Sequence, residues 1–430
     1  MSASPPSALA VVPARGAAAE LPDVVVLNDF AHVQGGGSKV AVLSAAALAA
    51  QGHRVLFFAA VGPVDPMLTA HRVEVVCLHQ TDALTDGNPL RGAARALWNE
   101  PARRALAAAL TAFEPHRTVV HLHGWMKALS SSVVRCATDG GFPTVSTLHD
   151  YTAVCPNGGF YNYRTERACS LPPASARCIA TNCDSRSYGH KAWRLTRHLI
   201  QQHYGGFRRP LATYVYLSDL NRRLHAPLLP TGADMHHVPN PIDVPHQAAG
   251  APAQSSVFAF AGRLAPEKGA LLFAAASTAE QVPALFIGDG PQAEAVRKLA
   301  PAAEITGWLP AAEVRKRLRQ ARILVFPSLW PETHGLVVQE AAALGVPAIV
   351  SDACAARESI EPEVTGLLFR SGDLQDLRRQ IERCRSDRLI ARMGRAAYDR
   401  YWRAPPTPRA HAAALADLYA NVLAGGVAHG

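Results

Sequence analysis

Residues 24–58 read VVVLNDFAHVQGGGSKVAVLSAAALAAQGHRVLFF, with two short apolar runs on either side of a glycine-rich loop and an alanine-rich stretch. Each apolar run has the length of a buried strand, and the stretch between them is long enough for a helix. Glycine stands at both junctions, where the chain changes direction. The segment therefore predicts a strand, a helix and a second, parallel strand.

The same rhythm recurs along the chain. Further β-rich runs lie at 118–122, 143–148 and 214–217, and a second series lies at 257–260, 284–287, 323–326 and 348–350. Strands that alternate with helices favour parallel sheets covered on both faces. We expect an α/β protein with two Rossmann-like, doubly wound domains that face a cleft.

A proline-rich, aperiodic run at 236–252 has the character of a linker. A final amphipathic helix at about 408–424 is apolar enough to need a docking surface, and we expect it to pack back on the first domain. The predicted division is a disordered lead-in over 1–20, a first domain over 21–243 with a cysteine-containing insertion at about 151–190, a linker over 244–255, a second domain over 256–403, and a helix and tail over 404–430.

Composition excludes several classes of protein. Of 430 residues, 49% are hydrophobic and 18% are charged, which excludes disordered and collagen-like chains. The apolar stretches fall short of the roughly 18 to 20 residues that cross a bilayer. Residues 1–20 lack the cationic leader of a secretory signal, and eight cysteines are too few for a secreted disulfide scaffold. We expect a cytoplasmic protein.

The net charge of +9 favours anionic partners. Nucleic acid is not expected among them, because the basic residues are scattered and no zinc-finger, helix-turn-helix or aromatic RNA-platform pattern accompanies them. Phosphorylated substrates and acidic lipids remain.

The stretch 330–340 reads WPETHGLVVQE and follows a predicted strand. Glu332 stands before the start of a predicted helix and Glu340 about one and a half turns inside it, so roughly 10 Å separates the carboxylates. The helix N-terminus between them suits a phosphate. One carboxylate at each end of a diphosphate matches a nucleotide sugar, although either glutamate alone is also typical of ordinary surface charge.

Arg263 and Lys268 lie on the loop that follows the first strand of the second series. Two cations at a strand end could neutralise a departing diphosphate without a metal. The chain contains no Asp-x-Asp pair that would hold a divalent cation on such a donor. In isolation the two cations are equally typical of a solvated turn.

With these pieces together, the sequence resembles the retaining GT-B glycosyltransferases of family 4. The matching motifs occur in family order over about 24–370, and a set in that order is far more specific than one glycine cluster. They are Gly35-Gly36-Gly37, His149-Asp150, Asn240-Pro241-Ile242-Asp243, Gly262-Arg263-Leu264 with Glu267-Lys268-Gly269, Gly288-Asp289-Gly290-Pro291, Gly307-Trp308-Leu309, and Glu332 with Glu340.

The resemblance implies a UDP- or GDP-sugar donor, no cofactor required for catalysis, and transfer with retention to a hydroxyl of a glycan or lipid-linked acceptor. It implies an acceptor-side first domain, a donor-binding second domain, and a role in cell-surface polysaccharide or glycolipid assembly. The implied catalytic residues are His149 and Glu332. The implied donor-binding residues are Gly36, Gly37, Arg263, Lys268, Gly307, Trp308, His334, Gly335, Leu336, Val337 and Glu340.

Each implied role has its place on the donor. Glu332 would bind the sugar hydroxyls and Glu340 the ribose, while Arg263 and Lys268 grip the diphosphate. The turn 334–337 would offer backbone N–H groups, Gly307 and Trp308 would lie near the base, and Gly36 with Gly37 would allow close approach. His149 would face the sugar from the first domain. The sequence departs from the family pattern at Asn240-Pro241, and Trp330-Pro331 is bulky beside Glu332.

Two alternative functions stay open on the residues alone. Gly288-Asp289-Gly290 with Ala293 satisfies a dinucleotide fingerprint, with Glu304 and Glu313 downstream, and would suit an NAD-dependent oxidoreductase. The first strand of that domain lacks the fingerprint, however, which is the wrong arrangement for a dinucleotide fold. A sugar-nucleotide-binding protein without turnover would show the same ligands.

Four cysteines fall within a polar insertion, at Cys155, Cys169, Cys178 and Cys183. Four thiolates around a structural zinc could organise such a segment, which has little apolar material of its own. No Cys-x-x-Cys pair supports this site, so free thiols or disulfides remain alternatives.

The segment 187–210 interleaves five basic residues with aromatic and aliphatic ones and carries no acid. The pattern predicts a basic helix attracted to an anionic membrane surface, which would place the protein on the inner face of the membrane. An ordinary helix with solvated cations is the alternative. The basic residues are Lys191, Arg194, Arg197, Arg208 and Arg209.

Overall fold

The computed structural model describes residues 21–82, 86–206 and 213–426, and the lead-in predicted over 1–20 lies outside them. Across these residues the chain forms two parallel sheets, one of seven strands and one of six, and a separate two-stranded hairpin. Both parallel sheets are buried under helices on both faces, which is the expected doubly wound arrangement.

The first sheet has the strand order β3-β2-β1-β4-β5-β8-β9. The inner strand β1 is buried along its whole length, as its apolar sequence predicts. The strands of the first half, including the hairpin β6–β7, are β1 (Asp23–Phe30), β2 (Val55–Val61), β3 (Glu74–Cys77), β4 (Thr118–Gly124), β5 (Thr144–Thr147), β6 (Tyr161–Asn162), β7 (Arg167–Ala168), β8 (Thr213–Tyr216) and β9 (Asp234–His237).

Alternate residues of β1 supply two separate cores. Val25 and Leu27 face the side covered by the helices that precede and follow β4, and Val24 and Val26 face the side covered by the helix after the glycine loop. The helices of this half are α1 (Gly36–Ala50), α2 (Pro66–Ala70), α3 (Pro89–Leu97), α4 (Glu100–Leu110), α5 (Ser132–Asp139), α6 (Ala176–Ala180), α7 (Tyr188–His203) and α8 (Asp219–His225).

One boundary of the predicted linker run is wrong. His236 and His237 pair with β8 as part of β9, so the aperiodic segment begins only after them. The proline-rich composition that suggested a linker belongs to 239–252, and β9 is a short edge strand with no apolar run to reveal it.

The second sheet has the order β12-β11-β10-β13-β14-β15. Its strands are β10 (Phe258–Ala261), β11 (Ala284–Ile287), β12 (Glu304–Ile305), β13 (Ile323–Phe326), β14 (Ala348–Ser351) and β15 (Gly366–Phe369). The helices of this half are α9 (Ala270–Ala279), α10 (Ala293–Leu299), α11 (Ala311–Arg319), α12 (Leu336–Ala343), α13 (Leu374–Arg383), α14 (Asp387–Arg403) and α15 (Pro408–Gly426).

Helix α15 leaves the second domain and packs on the first, as expected. Its Leu415 and Tyr419 are buried in the same core as α1. Both ring nitrogens of His411 form hydrogen bonds. Nε2 bonds with Ser44 Oγ at 2.8 Å, and Nδ1 donates to the Pro239 carbonyl at 2.8 Å. The apolar face of this helix therefore has its docking surface within the chain.

Candidate active site

A cavity of about 870 Å³ lies between the two domains, at the carboxyl ends of the parallel strands. It brings together residues from both sequence series that are up to three hundred positions apart. All but one of the predicted site residues line it: Gly36, Gly37, His149, Arg263, Lys268, Trp308, Glu332, His334, Gly335, Leu336, Val337 and Glu340. The exception is Gly307, which precedes Trp308 and pairs with Gly288 across an isolated bridge.

Glu332 lies on the loop between β13 and α12 and is buried. Its Oε1 accepts a hydrogen bond from Ser328 Oγ at 3.0 Å and forms an ion pair with Lys268. Two donors on a single oxygen fix the orientation of this carboxylate. Its other oxygen has no hydrogen-bond partner among the described residues, and the side chain lines the cavity.

The helix that follows this loop begins with a strained turn. Gly335 has a φ of 93°, and a Cβ on it would lie 2.6 Å from the Cβ of Ala356. Only glycine combines this conformation with that approach. Leu336 and Val337 open α12 and line the cavity, and the first N–H groups of a helix, which lack intrahelical partners, suit an anion.

Glu340 is also buried, and its partner comes from the other domain. Lys39 Nζ donates to Glu340 Oε1 at 2.6 Å, which joins the first turn of α1 to α12 across the cleft. Sequence reasoning missed Lys39. Its position directly after the glycine loop was the available signal, since cations in that turn face whatever the loop faces.

His149 faces the cavity from the first domain, and a Cβ added to Gly37 would lie 3.4 Å from the His149 Cβ. Its Nε2 lies 2.9 Å from Nδ1 of His123, a buried residue that the sequence analysis did not single out. Burial lowers the pKa of His149 to about 4, although the charge of Asp150 opposes this. The ring is therefore neutral near pH 7, with one nitrogen engaged by His123.

The site loop is bound to the first domain by three hydrogen bonds. Thr333 Oγ1 donates to the His149 carbonyl at 2.8 Å, Tyr151 OH donates to the Pro331 carbonyl at 2.6 Å, and Ser218 Oγ donates to the Thr333 carbonyl at 2.9 Å. These bonds place Glu332 and His149 on opposite walls of one cavity. Trp330 packs edge-on against Tyr151 at 6.3 Å, which explains why bulk is tolerated beside Glu332.

His334 has a ring nitrogen without a hydrogen-bond partner, and Arg263 has a guanidinium without an ion-pair partner, among the described residues. Burial lowers the pKa of His334 to about 4, so its ring is neutral, and its buried Nδ1 has no hydrogen bond. Arg263 is exposed at the cavity mouth and carries no ion pair in the described part of the chain. Trp308 is 77% exposed, so its ring is free to stack on a planar ligand.

The glycines that suggested a dinucleotide fingerprint have a packing role. A Cβ on Gly288 would lie 2.1 Å from the Gly262 carbonyl oxygen, and one on Gly290 would lie 2.4 Å from that of Leu264. The motif thus allows two loops at neighbouring strand ends to touch. This use of the glycines does not favour the oxidoreductase alternative.

The structure does not assemble the predicted zinc site among the residues that it describes. No group of three or more histidine, cysteine, aspartate or glutamate side chains there is placed to hold a metal, and all eight cysteines are free thiols. Instead, Lys191 Nζ lies 3.2 Å from Cys183 Sγ and 3.5 Å from Cys178 Sγ. The buried ammonium of Lys191 thus joins the insertion to α7.

The predicted basic membrane face is wrong for the three cations that can be described. Lys191 is buried, Arg194 pairs with the buried Asp184 at 2.8 Å, and Arg197 faces a cavity in the first domain. Arg208 and Arg209 lie outside the described residues. The insertion supplies the partners of Lys191 and Arg194, whereas Arg197 donates to the Met126 carbonyl, which lies outside the insertion. None of the described helices combines the length and hydropathy of a membrane span.

Comparisons with known proteins agree with this geometry. Residues 243–400 match the family described as glycosyl transferases group 1. A GDP-mannose-dependent alpha-mannosyltransferase of Corynebacterium glutamicum is 32% identical over 173 residues, which cover 39% of this chain and 40% of the relative. A sulfoquinovosyl transferase of Arabidopsis thaliana is 34% identical over 132 residues, 28% of this chain and 26% of that one. The chain thus matches less than half the length of either relative.

Solved structures match over nearly the whole chain. Sucrose-phosphate synthase from Thermosynechococcus elongatus superposes with a TM-score of 0.68 at 17% identity, covering 94% of this chain and 100% of that one. Anabaena HepE in complex with UDP gives 0.65 at 16% identity, covering 93% and 100%. The chain has the GT-B fold. In a GT-B fold the cavity between the domains is the place where both walls can contact one ligand.

Proposed function

We propose that the protein is a retaining glycosyltransferase that moves a sugar, most simply a hexose, from a nucleoside diphosphate sugar to a hydroxyl group. The observation that carries the proposal is the wall built by Lys268, Glu332, the N-terminus of α12 and Glu340. This wall has an anion site between two buried carboxylates, an arrangement that fits the diphosphate, sugar and ribose of a nucleoside diphosphate sugar. The match of residues 243–400 to group 1 glycosyl transferases supports the same function.

Each end of this wall suits one part of the donor. The free oxygen of Glu332 is available to sugar hydroxyls, and Ser328 and Lys268 hold the carboxylate in place for them. Arg263 and the first N–H groups of α12 face the position of the diphosphate. Glu340 lies one turn further along the helix, where ribose hydroxyls would reach it, and Trp308 is exposed for the base.

We infer that the transfer proceeds on one face of the sugar. The bond from the anomeric carbon to the diphosphate oxygen breaks, a bond to the acceptor oxygen forms on the same face, and the leaving diphosphate takes the acceptor proton. His149 is neutral and supplies a hydrogen-bonding group on the opposite wall, without adding a charge. Cations on the protein balance the leaving diphosphate, so the reaction needs no metal.

The donor nucleotide is UDP or GDP. Relatives that use GDP-mannose and a structural neighbour that binds UDP support these two candidates. The acceptor hydroxyl would belong to a glycan or a lipid-linked saccharide in cell-surface polysaccharide or glycolipid assembly, and the reaction would take place in the cytoplasm. A binding protein without turnover remains the second candidate, because the same wall would hold the donor without transfer.

A donor-turnover assay on the full chain tests the proposal. The protein is mixed with UDP- and GDP-hexoses, with and without pooled glycan acceptors, and released nucleoside diphosphate is measured together with the anomeric configuration of any product. We expect release from one donor class and an α product from an α donor. Binding of a nucleoside diphosphate without turnover would favour the second candidate, and binding of neither would contradict both.

Metal independence is checked in the same assay. We expect release to be unchanged when a chelator is added, because Arg263 and Lys268 do the work that a divalent cation does elsewhere. The measurement is the initial rate with chelator and after readdition of magnesium or manganese. Loss of activity that either metal restores would contradict this part of the proposal.

A further inference from the structure

A second cavity, of about 350 Å³, lies within the first domain beside the donor cavity. The two cavities share the loop at 34–37 and His149 as lining. A molecule in the smaller cavity would therefore reach the wall that faces the donor sugar. Its size is that of an ordinary small-molecule pocket.

Four cations line this cavity, and one of them, Arg194, is neutralised by Asp184. In the described part of the chain the other three, Lys127, Arg186 and Arg197, have no carboxylate partner. The sequence pattern predicted that Arg197 lies on a membrane-facing surface. In the structure its side chain instead lines this cavity.

The carboxylates of the cavity are engaged elsewhere. Asp29 accepts three backbone N–H groups, from residues 127, 128 and 129, at 2.8 to 2.9 Å. Asp150 accepts the backbone N–H of Thr152 at 2.9 Å, and Asp82 has an interaction of its own. None of the three forms an ion pair with the cations of the cavity in the described residues.

Arg197 is the most constrained of these cations. It donates one hydrogen bond to the Met126 carbonyl at 3.3 Å, and its buried Nε has no partner. Burial and the neighbouring Arg194 lower the pKa of Arg197 to about 10, so it stays charged near neutral pH. Asp150 and Asp29 attract its charge without forming an ion pair with it, so an anionic ligand would give the buried guanidinium a direct partner.

Trp193 completes the surroundings. Its ring lies 5.3 Å from the Arg197 guanidinium, and its buried Nε1 has no hydrogen-bond partner. An indole face beside a guanidinium offers an apolar surface for a sugar ring and two kinds of donor for its polar groups. The combination suits a saccharide that carries a charge better than a bare ion.

We propose that this cavity binds the acceptor, and that the acceptor is a saccharide with a phosphate or carboxylate group that Arg197 binds. The inference rests on the proposed glycosyltransferase function, because it needs a donor in the adjoining cavity. In this arrangement the accepting hydroxyl of the saccharide would reach His149, and its anionic group would lie against α7.

Calorimetric titration of the full chain tests the inference. The protein is first saturated with UDP or GDP and then titrated with a hexose 6-phosphate, the corresponding hexuronate, the neutral hexose, and inorganic phosphate. We expect the charged sugars to bind at least about tenfold more tightly than the neutral one, and more tightly than phosphate alone. Equal affinity for charged and neutral sugars, or no binding of any probe, would overturn the inference.

Variants separate this site from the donor site. Arg197→Met should abolish the preference for charged sugars and leave nucleoside diphosphate affinity unchanged, whereas Arg197→Lys should keep part of the preference. Arg395→Met, which removes an exposed cation of α14, is the matched control and should change nothing. A preference that persists in Arg197→Met, or phosphate alone binding as tightly as the sugar phosphate, would contradict the acceptor site.

Thermal unfolding tests whether Arg197 has a purely structural role. Without ligand, Arg197→Met should unfold at the same temperature as the parent protein or higher, because a buried charge that has no direct ion pair is removed. A clear fall in the unfolding temperature would show that Arg197 stabilises the fold and would overturn the assignment. Failure of the parent protein to bind UDP and GDP would instead contradict the proposed function.

Discussion

The two domains share one layered architecture but differ in what their strand ends carry into the cleft. The second domain presents charges, with Lys268 paired to Glu332 and Arg263 exposed beside them. The first domain presents the neutral His149, hydrogen-bonded to His123, and its Lys39 is already paired with Glu340. A charged donor therefore meets its counter-charges on one wall, while the other wall can order hydroxyl groups without competing for the diphosphate.

The largest effect is expected on the charged wall. Glu332→Gln keeps the shape but removes the charge that Lys268 neutralises, and we expect turnover to fall by about 10² to 10³. Affinity for the free nucleoside diphosphate should change by less than about threefold, since the product carries no sugar. Steady-state kinetics and calorimetry check both; Glu313→Gln, on an exposed helix, is the control.

A smaller effect is expected at the ribose end. Glu340→Ala removes a charged hydrogen-bond acceptor, and we expect nucleoside diphosphate binding to weaken by about 1.5 to 3 kcal/mol, roughly tenfold or more. Calorimetry with UDP and GDP measures this. If Glu332→Gln weakened nucleoside diphosphate binding as much as Glu340→Ala, the two ends of the donor would be assigned the wrong way round.

Acid should distinguish the two domains. His149 and His411 have a pKa of about 4 in the folded state because they are buried, against about 6.5 when unfolded. The unfolded chain binds more protons between these values, so stability is complete above about pH 6.5 and is lost as the pH falls toward 4. Each such histidine should cost about 1 kcal/mol between pH 7 and 5.5.

Most of the histidines whose pKa is lowered by burial belong to the first domain or to α15 on it, namely His121, His123, His149, His198, His225 and His411. Hydrogen exchange, corrected for the intrinsic effect of pH, should therefore show acid loosening there first. Equal loosening of both sheets, or none at pH 5.5, would contradict the contrast between a neutral and a charged domain.

The smallest effect is expected where the domains meet. Lys39→Met breaks the ion pair with Glu340, whose members are partly exposed, at 23% and 11% of their side-chain surface. We expect less than about 1 kcal/mol in unfolding free energy and a few-fold change in nucleoside diphosphate affinity. Chemical denaturation and calorimetry measure these, with Lys316→Met as an exposed control. A loss as large as that of Glu340→Ala would mean that Lys39 itself binds the donor.

The charged wall could be predicted from sequence because its parts lie in short continuous motifs. Glu332, the helix start and Glu340 fall within nine residues, and their order along the chain is their order along the cavity. Helical geometry alone then sets the spacing of the two carboxylates. The GT-B fold followed in the same way from the alternation of strands and helices.

The contacts that hold the first domain's side of the site could not be predicted, because they join residues that are distant in sequence. Lys39 and Glu340 are 301 positions apart, and nothing local in either segment indicates the other. The inward direction of Arg197 depends on how the insertion at 151–190 covers α7. The same pattern of basic and aromatic residues occurs in helices that face a membrane and in helices that line a pocket. Likewise, the spacing of four cysteines does not by itself distinguish a metal site from free thiols.

The chain crosses between the domains twice, and the crossings touch. Ile242 N–H donates to the Pro406 carbonyl at 2.8 Å, just before α15 returns to the first domain. Cutting the gene after residue 243 would therefore not yield an independent first domain, because α1 would lose the helix that covers it. A soluble fragment for isotope labelling or crystallisation should fuse 404–426 to the end of that half through a flexible tether.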